Sequence, residues 1–199
     1  MKYKTFLLFG APGSGKGTQG QVLGKLPGFF HCACGDVFRS IDLNSELGKA
    51  FLKYSSKGEL VPDKLTVELW QHQIDLNVQT KRFNPERDFL VLDGIPRNVH
   101  QAEIMGDRLD VQRLLHLTCP DRKKLFERLK RRALRDNRMD DANEEVIKRR
   151  LDVYEKESKP VIDFYGPKSV VKIDATESPV KVLDAILKVI LDDHADEQA

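Results

Sequence analysis

The stretch "FLLFGAPGSGKGTQGQVLGKL", residues 6–26, combines an apolar run, a glycine-rich segment and a helix-like continuation. Glycine adopts backbone conformations that other residues avoid, so successive N–H groups can converge on one anion. The start of a helix adds the positive end of its dipole. A G-x-x-x-x-G-K pattern between a strand and a helix is typical of a phosphate-binding P-loop. The stretch therefore predicts a nucleotide-phosphate site built from Gly13, Ser14, Gly15, Lys16, Gly17 and Thr18.

Two further features concern charge and metal at this site. Lys16 is expected to supply a mobile positive charge to the β and γ phosphates. Gly17 follows it where the strict pattern has a Ser or Thr for Mg²⁺, so Thr18 is the nearest hydroxyl. The apolar run "FLVLD" ends in Asp93, which would place a carboxylate beside the phosphates. We predict that Asp93 holds Mg²⁺ directly or through water, with Thr18 as a further candidate ligand.

The rest of the chain alternates strand-like and helical patterns. Near-continuous apolar runs are typical of parallel strands covered on both faces, and we predict strands at Tyr3–Phe9, Phe29–Ala33, Phe89–Leu92, Arg113–Thr118 and Ser169–Ile173. Helices are predicted after Ser45, from Pro62, and after the Ser178-Pro179 pair, because these residues suit a cap or a first turn. Such alternation over 199 residues predicts a single doubly wound α/β domain.

Composition excludes several classes of protein. The net charge of +2 gives no general case for a nucleic-acid partner, although residues 121–138 are strongly basic. No apolar stretch of about 18 residues is present, so we expect a cytoplasmic protein without a membrane anchor. The three cysteines are too few for a disulfide framework, and the five histidines form no metal-binding pattern.

Several further motifs, together with the P-loop, resemble those of the nucleoside monophosphate kinases, and of the adenylate kinase family in particular. The resemblance covers nearly the whole chain and rests on matching order and spacing. The matching segments are GAPGSGKGTQ at 10–19, GDVFR at 35–39, LVPD at 60–63, DGIPR at 93–97, QA at 101–102, RMDD at 138–141 and KPVIDFY at 159–165, with Arg128, Arg132 and Arg149.

The resemblance implies a five-stranded parallel sheet of order 2-3-1-4-5. It also implies a monomer with two mobile parts, a monophosphate-binding segment near 33–61 and a short lid near 127–138. The implied reaction is reversible transfer of the terminal phosphoryl group of MgATP to AMP, giving two ADP, in adenine nucleotide homeostasis. Residues 128–138 contain no Cys or His, so we predict a lid without structural zinc.

The family's site residues carry over to matching positions of this chain. Arginines suit the chemistry because their planar fork binds phosphate oxygens in pairs. The implied catalytic residues are Lys16, Arg97, Arg128, Arg132, Arg138 and Arg149. ATP would be bound by residues 13–18, Arg128 and the backbone near Glu177. AMP would be bound by Cys34, Arg39, Glu59, Leu60, Val61, Gly94, Ile95, Pro96, Arg97, Gln101, Arg138 and Arg149. Asp140 and Asp141 are either surface acids or partners that pin the neighbouring arginines.

Two positions concern which base the acceptor nucleotide carries. Gln101 can donate to and accept from a base edge and favours AMP, whereas the related UMP/CMP kinases have Asn there. Cys34 replaces the Thr that is usual in adenylate kinases and is a weaker hydrogen-bond partner. A UMP/CMP kinase therefore stays open as an alternative. A nucleotide-dependent RNA-binding module is a more distant one, although no RNA-binding signature accompanies the basic stretch.

Overall fold

The computed structural model describes residues 1–42, 44–136, 138, 141 and 143–197, the side chains of 193–197 excepted. Five strands and nine α-helices alternate along this described part. The strands are β1 (Tyr3–Phe9), β2 (Phe29–Ala33), β3 (Phe89–Asp93), β4 (Leu109–Thr118) and β5 (Val170–Asp174). The helices are α1 (Lys16–Leu23), α2 (Cys34–Arg39), α3 (Glu46–Ser55), α4 (Asp63–Gln79), α5 (Val99–Met105), α6 (Arg122–Asp136), α7 (Glu144–Val153), α8 (Pro160–Tyr165) and α9 (Pro179–Glu197), with a π-helical turn at Tyr154–Ser158 between α7 and α8.

All strand pairs are parallel, and the sheet order is β2-β3-β1-β4-β5, which confirms the predicted fold. Strand β1 lies at the centre, between β3 and β4. Residues of β1 alternate between two cores: Leu7 and Phe9 pack into one, whereas Phe6 and Leu8 pack into the other. Both faces of the sheet are thus buried, which explains why its strands read as almost unbroken apolar runs.

Local signals account for several helix starts. The Ser45 hydroxyl accepts a hydrogen bond from the Gly48 N–H at 3.0 Å, so Ser45 caps α3 as predicted. Helix α4 begins at Asp63, one residue after Pro62, and its Trp70 is buried in the core. Helix α9 begins at Pro179, next to the predicted cap Ser178. None of the described helices has both the length and the apolar content needed to cross a bilayer.

Strand β4 is longer than the sequence indicates. It begins at Leu109 rather than at Arg113, because its pairing with β1 starts where Tyr3 lies opposite Leu109. The polar residues Asp110 and Gln112 interrupt the apolar run there and hide the start of the strand.

The sheet positions a site at the carboxyl ends of its central strands. The chain leaves β1 towards β2 on one side and later crosses to β4 on the other, so β1 lies at a switch point of the topology. Ligands of open parallel sheets bind in the crevice outside such a point. Leu8 of β1 lies opposite Asp93 of β3, which brings the glycine-rich loop and the acidic strand end to the same edge.

Candidate active site

The loop after β1 has a backbone that only glycine accommodates easily. Gly10 has φ +143°, and a Cβ atom on it would lie 2.5 Å from the Leu117 carbonyl oxygen. Gly13 has φ +83°, and a Cβ atom on it would lie 2.9 Å from the Leu125 carbonyl oxygen. Both the left-handed conformation and the close neighbouring backbone therefore require glycine at these positions.

Lys16 is the first residue of α1 and turns back over the loop. Its ammonium group donates hydrogen bonds to the carbonyl oxygens of Gly10 (2.7 Å) and Ala11 (3.1 Å). Burial lowers the pKa of Lys16 to about 8, although the negative charge of Asp93 acts in the opposite direction. A partly buried lysine with a lowered pKa gains more binding free energy from an anionic ligand than an exposed lysine does, because the ligand compensates for the lost hydration.

The Ser14 hydroxyl is a second feature of the loop that suits an anionic ligand. Its oxygen is buried and has no hydrogen-bond partner among the described residues. Buried polar groups are normally paired, so an orphan at the loop indicates a group that a ligand satisfies. The start of α1 and the orphan hydroxyl thus fit the phosphates that the sequence predicts.

Asp93 ends β3 next to the loop and is largely buried. Its Oδ2 atom lies 3.7 Å from where a Cβ atom on Gly17 would be. An oxygen ligand beside the phosphate loop fits a Mg²⁺ ion shared with a nucleotide, which usually takes only one or two carboxylates from the protein. Thr18, the further candidate metal ligand, is exposed and lines the same cleft. Among the described residues, no three His, Cys, Asp or Glu side chains are grouped as a metal cluster.

A second cationic group lies across the cleft. Arg39, at the end of α2, pairs with Asp36, and Arg138 approaches the same Asp36 oxygen at 3.6 Å. The Arg97 Nε group donates to the Gly94 carbonyl oxygen at 2.9 Å. Three arginines from separate parts of the chain thus line one cleft, where a phosphate could replace the Asp36 carboxylate beside Arg39 and Arg138.

Helices α6 and α7 supply further arginines. Arg128 approaches the Gly13 carbonyl oxygen at 3.5 Å, above the phosphate loop. Arg132 and Arg150 both pair with Asp141, whose side chain is buried, and the Arg132 Nη2–Asp141 Oδ2 distance is 2.6 Å. Asp141 therefore pins two arginines, one of the two roles that the sequence leaves open; Asp140 lies outside the described residues.

The acceptor side contains one buried amide. Gln101 of α5 is 1% exposed; its Oε1 atom accepts from the Arg97 backbone N–H (2.7 Å), and its Nε2 group donates to Asp63 Oδ1 (2.8 Å). Nearby, burial raises the pKa of the Cys34 thiol to about 11, although Arg97 acts to lower it. The thiol is therefore neutral at pH 7 and is a weak partner for a base.

Most of the predicted residues line one continuous cleft of about 1300 Å³. The predicted residues that line it are Gly13, Ser14, Gly15, Lys16, Gly17, Thr18, Cys34, Arg39, Glu59, Leu60, Val61, Asp93, Gly94, Pro96, Arg97, Gln101, Arg128, Arg132, Arg138 and Glu177.

Two predicted residues do not line the cleft in the described part of the chain. Ile95 is 3% exposed and packs into the core between Gly94 and Pro96. Arg149 pairs with Glu59 at 2.5 Å, and more than half of its side chain is exposed. Its neighbour Arg150 lines the cleft instead.

Helix phase explains why Arg150 and not Arg149 faces the cleft. Ile147 and Leu151 are the buried residues of α7 and define its inner face. Arg150 follows Ile147 by three positions and so lies close to the inner face. Arg149 is rotated about 100° from Arg150 around the helix axis, away from that face. This apolar spacing is the signal in the sequence that identifies Arg150.

Comparisons with known proteins agree with this geometry. A family model described as adenylate kinase matches residues 8–170. The chain is similar to an adenylate kinase of Porphyromonas gingivalis, with 40% identity over 82% of this chain and 83% of the relative. It is also similar to adenylate kinases of Thermobifida fusca, with 38% identity over 85% and 88% of the two chains, and of a Thermoanaerobacter species, with 34% identity over 94% and 97%.

Proposed function

The chain belongs to the adenylate kinase family, and from this premise we propose that its cleft holds ATP and AMP together for phosphoryl transfer. The enzyme transfers the terminal phosphoryl group of ATP to AMP, and the reverse reaction converts two ADP back. One observation carries the proposal: a single cleft joins a phosphate loop to a second group of arginines on other elements. Such a cleft suits two phosphorylated substrates at once.

The donor nucleotide is assigned to the loop side. The N–H groups of residues 13–18 and the Lys16 ammonium would bind the β and γ phosphates, and the orphan Ser14 hydroxyl supports this assignment. Arg128 and the backbone near Glu177 would contact the rest of ATP. Asp93, directly or through water, would hold Mg²⁺ with Thr18 as a further candidate, and the ion would neutralise charge on the phosphates.

The acceptor nucleotide is assigned to the opposite side. Arg39 and Arg97 would bind the AMP phosphate, and the residues around Cys34 and Gln101 would surround its base. The remaining lining residues of that side are Glu59, Leu60, Val61, Gly94 and Pro96.

The transfer itself needs positioning and charge neutralisation more than proton transfer. An oxygen of the AMP phosphate forms a bond to the γ-phosphorus as the bond from that phosphorus to the bridging oxygen of ADP breaks. The attacking oxygen is already ionised at pH 7, so no general base is required. We assign the stabilisation of the transferred group to Arg132, Arg138 and Arg150, with Arg150 in the role that the family resemblance implies for Arg149.

Other properties are proposed from the family resemblance. We propose a cytoplasmic monomer that acts on ATP, AMP and ADP without a nucleic-acid or membrane partner. We also propose that residues 33–61 and 127–138 move to enclose the substrates, since an open site would let water accept the phosphoryl group.

A panel of acceptors tests the proposed function. The purified protein is assayed with MgATP and, in turn, AMP, CMP, UMP and GMP, and ADP formation is measured. We expect AMP to be the preferred acceptor. Negligible transfer to AMP combined with transfer to CMP or UMP would instead show a UMP/CMP kinase.

A further inference from the structure

Asp63 connects two amide side chains of the acceptor side. It is the first residue of α4, and one of its oxygens, Oδ1, accepts from Gln101 Nε2 at 2.8 Å and from Asn98 Nδ2 at 2.9 Å. Asn98 in turn caps α5 by accepting from the Gln101 backbone N–H at 2.8 Å. The three residues come from two elements that are distant along the chain but adjacent in the fold.

The chemistry of these partners fixes which way the Gln101 amide faces. A carboxylate accepts hydrogen bonds only, so the NH₂ end of Gln101 must face Asp63. A backbone N–H donates only, so the oxygen of Gln101 must face Arg97, whose N–H lies 2.7 Å away. Rotating the amide by 180° would place two donors together at Arg97 and two acceptors together at Asp63.

A fixed amide can still read a base. A carboxamide has two N–H donors and two acceptor lone pairs, and the described contacts use one donor and one acceptor. One N–H and one lone pair remain for the cleft, in an order that the network sets. Adenine presents a donor at N6 and an acceptor at N1, whereas a 6-oxopurine presents an acceptor at O6 and a donor at N1.

We propose that Asp63 is a specificity-determining positioning residue, which holds the Gln101 amide in the orientation that accepts adenine and rejects 6-oxopurines as the acceptor base. The inference rests on the proposed function, because it concerns the AMP side of the same cleft. Asp63 itself acts through Gln101 and is not among the described residues that line the cleft. The neutral Cys34 thiol, a weak partner, leaves Gln101 as the main reader of the base edge.

IMP is the sharpest probe, because it differs from AMP only in the reversed donor and acceptor at positions 6 and 1. In the Asp63→Ala variant the amide loses one of the two contacts that orient it and keeps only the hydrogen bond from the Arg97 N–H. We therefore expect the ratio of kcat/KM for AMP to that for IMP to fall, by up to about tenfold, the size of discrimination that a two-bond base contact provides. The KM for AMP should rise, while the KM for ATP and kcat stay within about twofold of the original enzyme, because the donor side and the arginines are unchanged.

Two further variants separate this role from a structural one. Asp63→Asn also removes the charge at the start of α4 but retains an oxygen that accepts from both amides, so it should restore the AMP preference. Asp163→Ala makes the same change at an exposed first-turn aspartate of α8 that has no described hydrogen bond to Asp63, Asn98 or Gln101, and should leave every constant unchanged. If Asp63→Ala does not fold by circular dichroism, Asp63→Leu fills a similar volume without an acceptor and is measured instead.

The outcomes are distinguishable. An unchanged AMP-to-IMP ratio in a folded Asp63→Ala or Asp63→Leu protein would overturn the inference and leave the proposed function intact. Equal losses in Asp63→Asn and Asp63→Ala would also overturn it, since charge and not the acceptor oxygen would then matter. Failure of the unaltered enzyme to phosphorylate AMP would refute the proposed function itself.

Discussion

Lys16 is the residue whose charge we expect to set the alkaline limit of activity. Because burial lowers its pKa to about 8 in the free protein, the ammonium form needed by the donor phosphates is lost as pH rises above that value. We predict that kcat/KM for MgATP, at AMP well below its KM, is level near pH 7 and falls about tenfold per pH unit well above pH 8. Steady-state kinetics from about pH 7 to about pH 9.5 measure this profile.

Substitutions of Lys16 provide the controls. Lys16→Arg should be less active but should show no decline over the same range, because a guanidinium group does not titrate there. Lys16→Met should lose about 100-fold or more in turnover, by analogy with other oriented donors. A profile of the unaltered enzyme that stays level to about pH 9.5 would contradict the assignment.

The adjacent pair Arg149 and Arg150 offers a matched comparison. Arg150 lines the cleft and pairs with the buried Asp141, whereas Arg149 forms an exposed pair with Glu59. We predict that Arg150→Met lowers kcat by about 100-fold, as expected for loss of transition-state charge stabilisation. Arg149→Met should change kcat by less than about twofold, since exposed ion pairs contribute little. A larger loss in Arg149→Met than in Arg150→Met would reverse the assignment.

Arg149 and Arg150 also show which site residues can be predicted from the sequence and which cannot. The loop residues 13–18 have a pattern whose geometry is local, so the sequence placed them correctly in the cleft. Two consecutive arginines share one motif, and only the helix phase separates them. The contact of Asp63 with Gln101 has no signal along the chain, because it joins α4 to α5 through the fold.

At the scale of secondary-structure elements, Asp141 links helices α6 and α7. Its buried carboxylate faces Arg132 from α6 and Arg150 from α7. Removing one partner from a buried ion pair leaves uncompensated charge, so we predict that Asp141→Ala lowers the free energy of unfolding by about 3–5 kcal/mol. It should also lower kcat, because both arginines lose their fixed positions. Denaturant unfolding and steady-state kinetics measure the two effects.

Asp152→Ala is the matched control for this prediction. Asp152 pairs with Arg122 between the same two helices, but both side chains are about half exposed. Its loss should cost less than about 1 kcal/mol and leave kcat unchanged. Equal destabilisation by the two substitutions would contradict the special role of the buried carboxylate.

The positions of the strands could be predicted from the sequence, because a parallel strand that is covered on both faces is apolar along its whole length. Tyr3–Phe9 and Phe29–Ala33 are predicted with the observed bounds. The start of β4 was missed because Asp110 and Gln112 are polar, and its pairing depends on a partner strand that the sequence does not identify. The strand order likewise came from the family resemblance and not from the periodicity.

The whole cleft is expected to bind two nucleotides as one ligand site. We predict that ATP and AMP each raise the melting temperature in the absence of Mg²⁺, as ligands that bind only the folded state do. A molecule that joins two adenosines through a chain of phosphates should raise it further, because its second half binds at high effective concentration. Differential scanning fluorimetry measures the shifts. A linked molecule no better than ATP alone would argue against adjacent sites.

The central position of β1 also matters while the chain is being made. The strand that leads into the phosphate loop leaves the ribosome before its neighbours in the sheet, which are Phe89–Asp93 and Leu109–Thr118. The backbone of β1 therefore has no hydrogen-bond partners from the sheet until β3, more than 80 residues later, has been synthesised. Exposed strand edges on a growing chain favour aggregation. The strand that leads into the phosphate loop is thus a segment of the nascent protein that a chaperone would protect.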